Sequence, residues 1–481
     1  MSFPFGRNPF ARKRHPYRRM DDPQGQRIIG LVPDTKIPIF APPGHSLLLA
    51  ANGAGKTVYG AATWLISLIA TASRPAVLVA DHKNGELARQ FVPMLAELGL
   101  PFAVVDDGGV LPVDYPGRVS LNPISAVIES FRRAPEDLIF ATEAMAHALI
   151  EEPPEGDERN RYFRDWPRRL IEFATMVLLK RNPDLATPGS VWALLSDPQM
   201  MVGFARIEAE EGDGMLRVLA RNILGMIGHE HWPQHLQAAQ DALRIFATGT
   251  RLAAAGQAAT TSPAMLIRDR AIIFLVGSQR HIRRMGAYYA MQLTGFLDAL
   301  YAETGPLTLI NDEFTNGPLQ QFVDSLTTIR AFGGEAHNIA QSRSEIEKKF
   351  GKHAVDTIEE NAIIKHWYGF SGFSEAKRVS EMMGEQMAVQ ESLGADNASV
   401  RLQTNLSLTK QRWMSPAELM AMPTQRQLIH VKGLGFFLAD KIGQQHFEPY
   451  SRLLAPNTLE GGCLTPDPKI RLPYPSREVT P

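Results

Sequence analysis

The sequence predicts an α/β fold with a mainly parallel sheet, into which a long all-helical segment is inserted. Three observations carry this. Short apolar, β-prone runs alternate with helical patterns from about residue 27 to 125. From about 126 to 262 the strand-like runs stop, and apolar residues recur at helical spacing, as over 138–150, 162–179 and 215–226. Strands then return at 271–276 and 307–311.

Taken in order, the run 46–51 reads as a strand and 58–69 as the helix after it. Residues 76–80 form a buried strand, 85–98 a helix and 102–105 a third strand. A β-α-β-α-β order in one sheet calls for parallel strands joined by crossovers. Further strands are expected at 336–340, 362–367 and 428–431. The implied division is a basic arm (1–27), a first α/β half (28–125), the helical insertion (126–262), a second α/β half (263–454) and an extended Pro-rich tail (455–481). No internal repeat is visible.

Composition excludes several classes. The chain has 481 residues, 44% hydrophobic and 21% charged, with net charge −1, which fits a globular protein of two or more domains. A single cysteine, Cys463, allows neither an intramolecular disulfide nor a multi-thiolate metal site. The histidines show no ligand spacing, and His229 with His231 reads as a polar turn beside Trp232-Pro233. The most apolar stretch, 61–80, is broken by Arg74-Pro75, so its halves read as helix and strand rather than a membrane span. Residues 1–20 carry Arg7, Arg12, Lys13, Arg14, Arg18 and Arg19 and no acidic residue. This is no secretory signal. It is either a solvated tail or an arm for anionic lipid or nucleic acid.

The chemistry begins at the first strand. Ser46-Leu47-Leu48-Leu49-Ala50-Ala51-Asn52-Gly53-Ala54-Gly55-Lys56-Thr57 is an apolar run, a small-residue loop and then a helical pattern. That is the setting of a phosphate-binding P-loop. Glycines let successive N–H groups face one oxyanion, and the helix start adds its own free N–H groups and positive dipole end. Asn52, Gly53, Ala54, Gly55, Lys56 and Thr57 would cradle the phosphates of ATP, with Lys56 on the β- and γ-phosphates and Thr57 on Mg²⁺. One position departs from the usual pattern: Ala50 stands where glycine is common. A Gly-rich strand-to-helix turn without a ligand is the plainer alternative.

A nucleotide hydrolase of this type needs a second strand ending in carboxylates. Leu307-Thr308-Leu309-Ile310-Asn311-Asp312-Glu313 supplies one, after the breaker Gly305-Pro306. Asp312 would hold Mg²⁺, and Glu313 would orient and deprotonate the attacking water. Two adjacent carboxylates at a buried strand end are costly without a cation. Alone they would read equally well as a capping pair.

These pieces and their order resemble the type IV coupling proteins, the TraG/TraD-like ATPases of conjugation and type IV secretion. The resemblance spans residues 28–450. It rests on Pro43-Gly44-His45-Ser46 before the P-loop, Asp81-His82-Lys83-Asn84-Gly85-Glu86 after the second strand, Asp106, and Leu121-Asn122-Pro123-Ile124. It continues through Asp312-Glu313-Phe314, Ile329-Arg330-Ala331-Phe332-Gly333, Ile339-Ala340-Gln341-Ser342, Met414-Ser415-Pro416-Ala417-Glu418-Leu419 and Pro423. It implies a RecA-like P-loop ATPase fold with an inserted all-helical domain. It implies a homo-hexamer that passes single-stranded DNA or a relaxase–DNA complex to type IV secretion channel proteins. It gives Arg330 the role of an arginine finger for the neighbouring subunit's nucleotide and Gln341 that of a γ-phosphate sensor. Most members open with membrane anchors. This chain shows only the basic arm, so a cytoplasmic protein, peripheral at the inner face of the bacterial inner membrane and tethered by a separate membrane-anchor protein, is expected.

Two segments leave the DNA contact open. Residues 158–169 (Glu158-Arg159-Asn160-Arg161-Tyr162-Phe163-Arg164-Asp165-Trp166-Pro167-Arg168-Arg169) interleave bases and aromatics as a single-strand grip would. The favoured reading is an amphipathic helix start, with Phe163 and Trp166 in the core and the arginines in water. The small, polar loop 253–262 would suit a ring channel or a plain linker. Two other functions stay open: a ring DNA translocase outside secretion, and a nucleotide-binding receptor without hydrolysis.

Overall fold

The computed structural model describes residues 27–71, 73–153, 156–316, 320–395, 402–457, 462 and 465–475. The basic arm short of Arg27, and Cys463, lie outside them. The strands are β1 (Ile28–Leu31), β2 (Pro38–Phe40), β3 (Ser46–Leu49), β4 (Ala76–Asp81), β5 (Phe102–Val105), β6 (Arg118–Val119), β7 (Ile272–Val276), β8 (Leu307–Asn311), β9 (Gly334–Ala340), β10 (Ile364–Trp367), β11 (Glu385–Ala395), β12 (Leu402–Arg412), β13 (Arg426–Val431) and β14 (Gly435–Asp440).

Apart from β11 and β12, these strands form one 12-stranded sheet in the order β2-β1-β14-β13-β10-β3-β9-β8-β4-β7-β5-β6. Every pair from β10 to β6 is parallel. The other end, from β13 to β2, is antiparallel. The predicted parallel direction holds, but the first three strands are not neighbours. β9 and β8 enter between β3 and β4, and β7 enters between β4 and β5. The second half of the chain is threaded through the first.

Alternation along each strand builds two cores. Leu47, Leu49, Ala76, Leu78, Leu307 and Leu309 join one cluster, while Leu48, Val77, Val79 and Ile310 join the other. The second face is covered by α1 (Ala62–Ile69) and α2 (Glu86–Leu98). Every residue of α1 is buried, because the segment carrying Ile442, Phe447 and Tyr450 packs in the same cluster. No described helix is long and apolar enough to cross a membrane.

Between β6 and β7 the described chain is helical: α3 (Ser125–Arg133), α4 (Leu138–Leu149), α5 (Arg161–Arg181), α6 (Pro188–Leu195), α7 (Pro198–Glu211), α8 (Gly214–Met226), α9 (Trp232–Ala242) and α10 (Pro263–Arg268). Its centre is α5, whose Leu170, Phe173, Ala174 and Val177 are buried. Helix α11 (Gly286–Tyr301) follows β7 and packs on α3 and α4. β11 and β12 form a separate antiparallel hairpin. The tail, where described, lies extended: Phe447–Glu448 pairs with Ile470–Arg471.

Candidate nucleotide site at the strand ends

The P-loop leaves β3 with Ala50 N–H bonded to the Ala340 carbonyl of β9 (3.1 Å). Gly53 and Gly55 take positive φ, 76° and 81°. Ala50 does not, so its Cβ causes no strain there. The helix then opens with a widened turn, Lys56–Ala61, closed by Ala62 N–H on the Thr57 carbonyl five residues back. Such π-type turns recur at functional sites. Lys56 and Thr57 are both buried, and Lys56 Nζ reaches Asn52 Oδ1 at 3.4 Å.

Sheet order explains which other residues meet this loop. β9 lies between β3 and β8, and β4 lies beyond β8. In parallel strands all four C-terminal ends share one edge. That edge carries Lys56 and Thr57 after β3, Gln341 after β9, Asp312 and Glu313 after β8, and Lys83 after β4. The Thr57 hydroxyl donates to Asp312 Oδ2 at 2.9 Å. Glu313 takes a left-handed φ of 57°, a conformation that costs a side-chain-bearing residue about 1 kcal/mol. Strain of this kind gathers at functional sites.

Three residues at the site were not assigned roles from the sequence. Lys83 Nζ donates to Thr57 Oγ1 (2.8 Å) and Asp312 Oδ2 (3.3 Å) and lies 3.6 Å from Glu313 Oε1. Burial lowers its pKa, but Asp312, Glu313 and Glu86 outweigh that and hold it above the usual lysine value. Burial, with Lys83 adding to it, lowers the pKa of Lys56 against the pull of Asp312, Glu313 and Glu345. Glu345 Oε2 is buried and has no hydrogen-bond partner among the described residues. Lys441, beyond β14, bonds the Ala54 carbonyl of the P-loop (3.3 Å) and the Tyr368 carbonyl (3.0 Å) over the Tyr368 ring. Burial pushes its pKa down to about 8.

The donors fit a magnesium ion. Adjacent vertices of a Mg²⁺ octahedron with ligands at 2.0–2.1 Å lie about 2.9 Å apart, and Thr57 Oγ1 and Asp312 Oδ2 are 2.9 Å apart. Asp312 Oδ1 is also buried without a hydrogen-bond partner among the described residues. No cluster of three metal-ligating His, Cys, Asp or Glu occurs among the described residues, so any ion here would complete its shell with phosphate and water.

Arg330 is not brought to this edge. It is exposed, in the turn Ile329–Phe332 that feeds the N-terminal end of β9. The length of β9, at about 3.3 Å per residue, separates it from the phosphate loop of its own chain. Gln341 sits one residue past β9, ahead of the Ser342 cap of the helix Arg343–Phe350.

Other predicted elements are structural. Asp106 accepts from Val110 N–H (2.9 Å) and Leu111 N–H (2.8 Å) and so folds its own loop. Asn122 bridges to the Ala186 carbonyl (2.8 Å) and packs against Gly256, which ties the 253–262 loop to the sheet. In the 158–169 segment Arg164 and Arg168 are not solvated: they pair with Glu152, Asp157 and Asp165. Phe163 is 41% exposed rather than in the core. Tyr162 meets its ring edge-on at 5.5 Å, and His235 lies tilted beside it at 5.6 Å.

The fold matches that of solved proteins. The conjugative coupling protein TrwB, in its unbound monoclinic form, superposes with TM-score 0.59 at 13% identity, over 86% of this chain and 88% of that one. TrwB in complex with ADP and Mg²⁺ gives 0.60 at 13%, over 86% and 88%. VirB4 of Thermoanaerobacter pseudethanolicus gives 0.53 at 15%, over 91% and 100%. Curated protein sequences give no match. Residues 306–424 match the family model described as the TraM recognition site of TraD and TraG. Over that segment the chain resembles the TraG/TraD-like coupling proteins. The matched segment runs from the start of β8 to beyond the hairpin, and so includes Asp312, Glu313, Arg330 and Gln341. The RecA-like architecture expected from the sequence is the one observed.

Proposed function

We propose that this protein is an ATP-hydrolysing type IV coupling protein that feeds single-stranded DNA, alone or with a bound relaxase, to a secretion channel. One observation carries the reading: Lys56, Thr57, Gln341, Asp312 and Glu313 end adjacent parallel strands at a single edge, while Arg330 lies at the opposite one. A site that lacks its arginine in the same chain is completed by a second copy, which supports a ring, a hexamer by analogy with the family.

In this mechanism the backbone N–H groups of residues 52–57 and the Lys56 ammonium hold the β- and γ-phosphates. Thr57 and Asp312 would hold Mg²⁺, which when bound neutralises phosphate charge. Glu313 orients the attacking water and accepts its proton. Gln341, between the P-loop and Glu313, senses the γ-phosphate. Arg330 of the adjacent subunit stabilises charge on the phosphoryl group leaving ADP, a contribution on the order of 10³–10⁵ in rate. Residues 126–262 form the inserted domain, and the protein works peripherally at the inner face of the bacterial inner membrane.

The test is turnover in Lys56→Ala, Glu313→Gln and Arg330→Ala. Each removes it, and only Lys56→Ala also weakens nucleotide binding. Normal turnover in all three sinks the proposal.

A further inference from the structure

Lys83 occupies ground that a metal ion also needs. Its ammonium lies 2.8 Å from Thr57 Oγ1 and 3.3 Å from Asp312 Oδ2, and those oxygens are themselves 2.9 Å apart. A Mg²⁺ ion must sit about 2.1 Å from each oxygen it binds. Given these separations, no such point lies more than about 4 Å from the Lys83 nitrogen. Glu313 Oε1, at 3.6 Å, completes an anionic surround for the same ammonium. The side chain is held to this place by its turn. Asn84 and Gly85 both take left-handed φ, 56° and 71°. Asn84 N–H bonds the Gly277 carbonyl (2.9 Å), and Asn84 Oδ1 accepts from Gln279 N–H (3.1 Å). Asparagine and glycine tolerate that backbone where other residues resist it, so the Asn-Gly pair fixes where Lys83 projects.

We propose that Lys83 is a built-in counter-cation that excludes free Mg²⁺ from Thr57 and Asp312, so that metal enters only with nucleotide. Phosphate oxygens supply the extra negative charge that lets an ammonium and a divalent ion share the site. Without them the two cations compete for one carboxylate. The carboxylates are held paired between turnovers, and millimolar Mg²⁺ does not settle on them alone. The inference rests on the nucleotide-site reading above.

The experiment measures Mn²⁺ binding to the full-length, nucleotide-free protein by electron paramagnetic resonance, in the wild type, Lys83→Met and Lys83→Arg. Lys83→Met binds Mn²⁺ on the order of tenfold more tightly or better, as removal of a like charge within about 4 Å requires. Lys83→Arg stays as weak as the wild type, and circular dichroism of all three coincides. Equal Mn²⁺ affinity in the wild type and Lys83→Met overturns the proposal, as does failure of Lys83→Met to bind Mn²⁺ at all. Binding of a fluorescent ATP analogue to the same samples separates the two ideas. Equal Mn²⁺ affinity in the wild type and Lys83→Met, with ATP still bound by both, defeats the role of Lys83 alone. No ATP binding by the wild type defeats the nucleotide-site reading.

Discussion

Acidification will loosen the sheet where three buried histidines sit on neighbouring strands. His45 precedes β3, His337 is on β9 and His366 is on β10, and Trp64 of α1 lies against the last two at 5.8 and 5.6 Å. His45 shows why a proton is unwelcome. Its Nδ1 accepts from Ala336 N–H (3.0 Å) while Nε2 faces the Leu326 carbonyl (3.0 Å). A second ring proton would oppose the Ala336 donor. Burial pushes His45 down to about 4 and His366 to about 3. Burial, with Arg27 and the other two rings, holds His337 well below the usual value. Glu335, 3.7 Å from His337, does not offset this. The folded pKa values lie below the unfolded value near 6.5. The stability these rings contribute is therefore full above 6.5 and is lost as pH falls toward the folded values. From near pH 7.5 to about pH 5 that amounts to about 2 kcal/mol each for His45 and His366, together a large share of a typical 5–15 kcal/mol, and His337 acts in the same direction. Asp81 and Glu172, raised by burial to about 7, work in the opposite sense, so one ring must be isolated. Urea unfolding of His366→Asn, followed by tryptophan fluorescence across this range, has a pH slope shallower than wild type by about 1.4 kcal/mol per unit. Identical slopes would mean that His366 takes up no proton on unfolding in this range.

Two further outcomes follow from the site. Lys441→Met removes the ammonium that holds the Ala54 carbonyl and lowers affinity for a fluorescent ATP analogue by about tenfold, the worth of a charge-assisted hydrogen bond; unchanged affinity would make the contact incidental. Mixing Lys56→Ala with Arg330→Ala subunits restores part of the turnover that each lacks, because composite sites regain one intact P-loop and one intact arginine, whereas a mixture as inactive as its components argues against a shared site.

Most of the parallel strands and both site motifs were legible because they are short and local. An apolar run followed by Gly53, Gly55 and Lys56, or by Asp312 and Glu313, carries its own signal. What was not legible depends on strands brought together late. Lys83 stands in a quoted motif, yet its partners belong to β3 and β8, and nothing in a linear reading makes β4 the neighbour of β8. Lys441 follows a strand outside the predicted set, although Lys432-Gly433-Leu434-Gly435 marks the turn into it, with Gly433 and Gly435 at positive φ. The hairpin β11–β12 was missed because glutamine, glutamate, serine and threonine replace an apolar run. The burial of Arg164 and Arg168 is not legible in the helix pattern, because Glu152 and Asp157, two of their three acidic partners, lie before the helix.

Phosphate release by the purified protein, with and without single-stranded DNA and beside Glu313→Gln, reports whether this site hydrolyses ATP to drive DNA. DNA-stimulated release that the variant loses while still binding ATP is the expected result. No release from the wild type under either condition, with nucleotide bound, would contradict it.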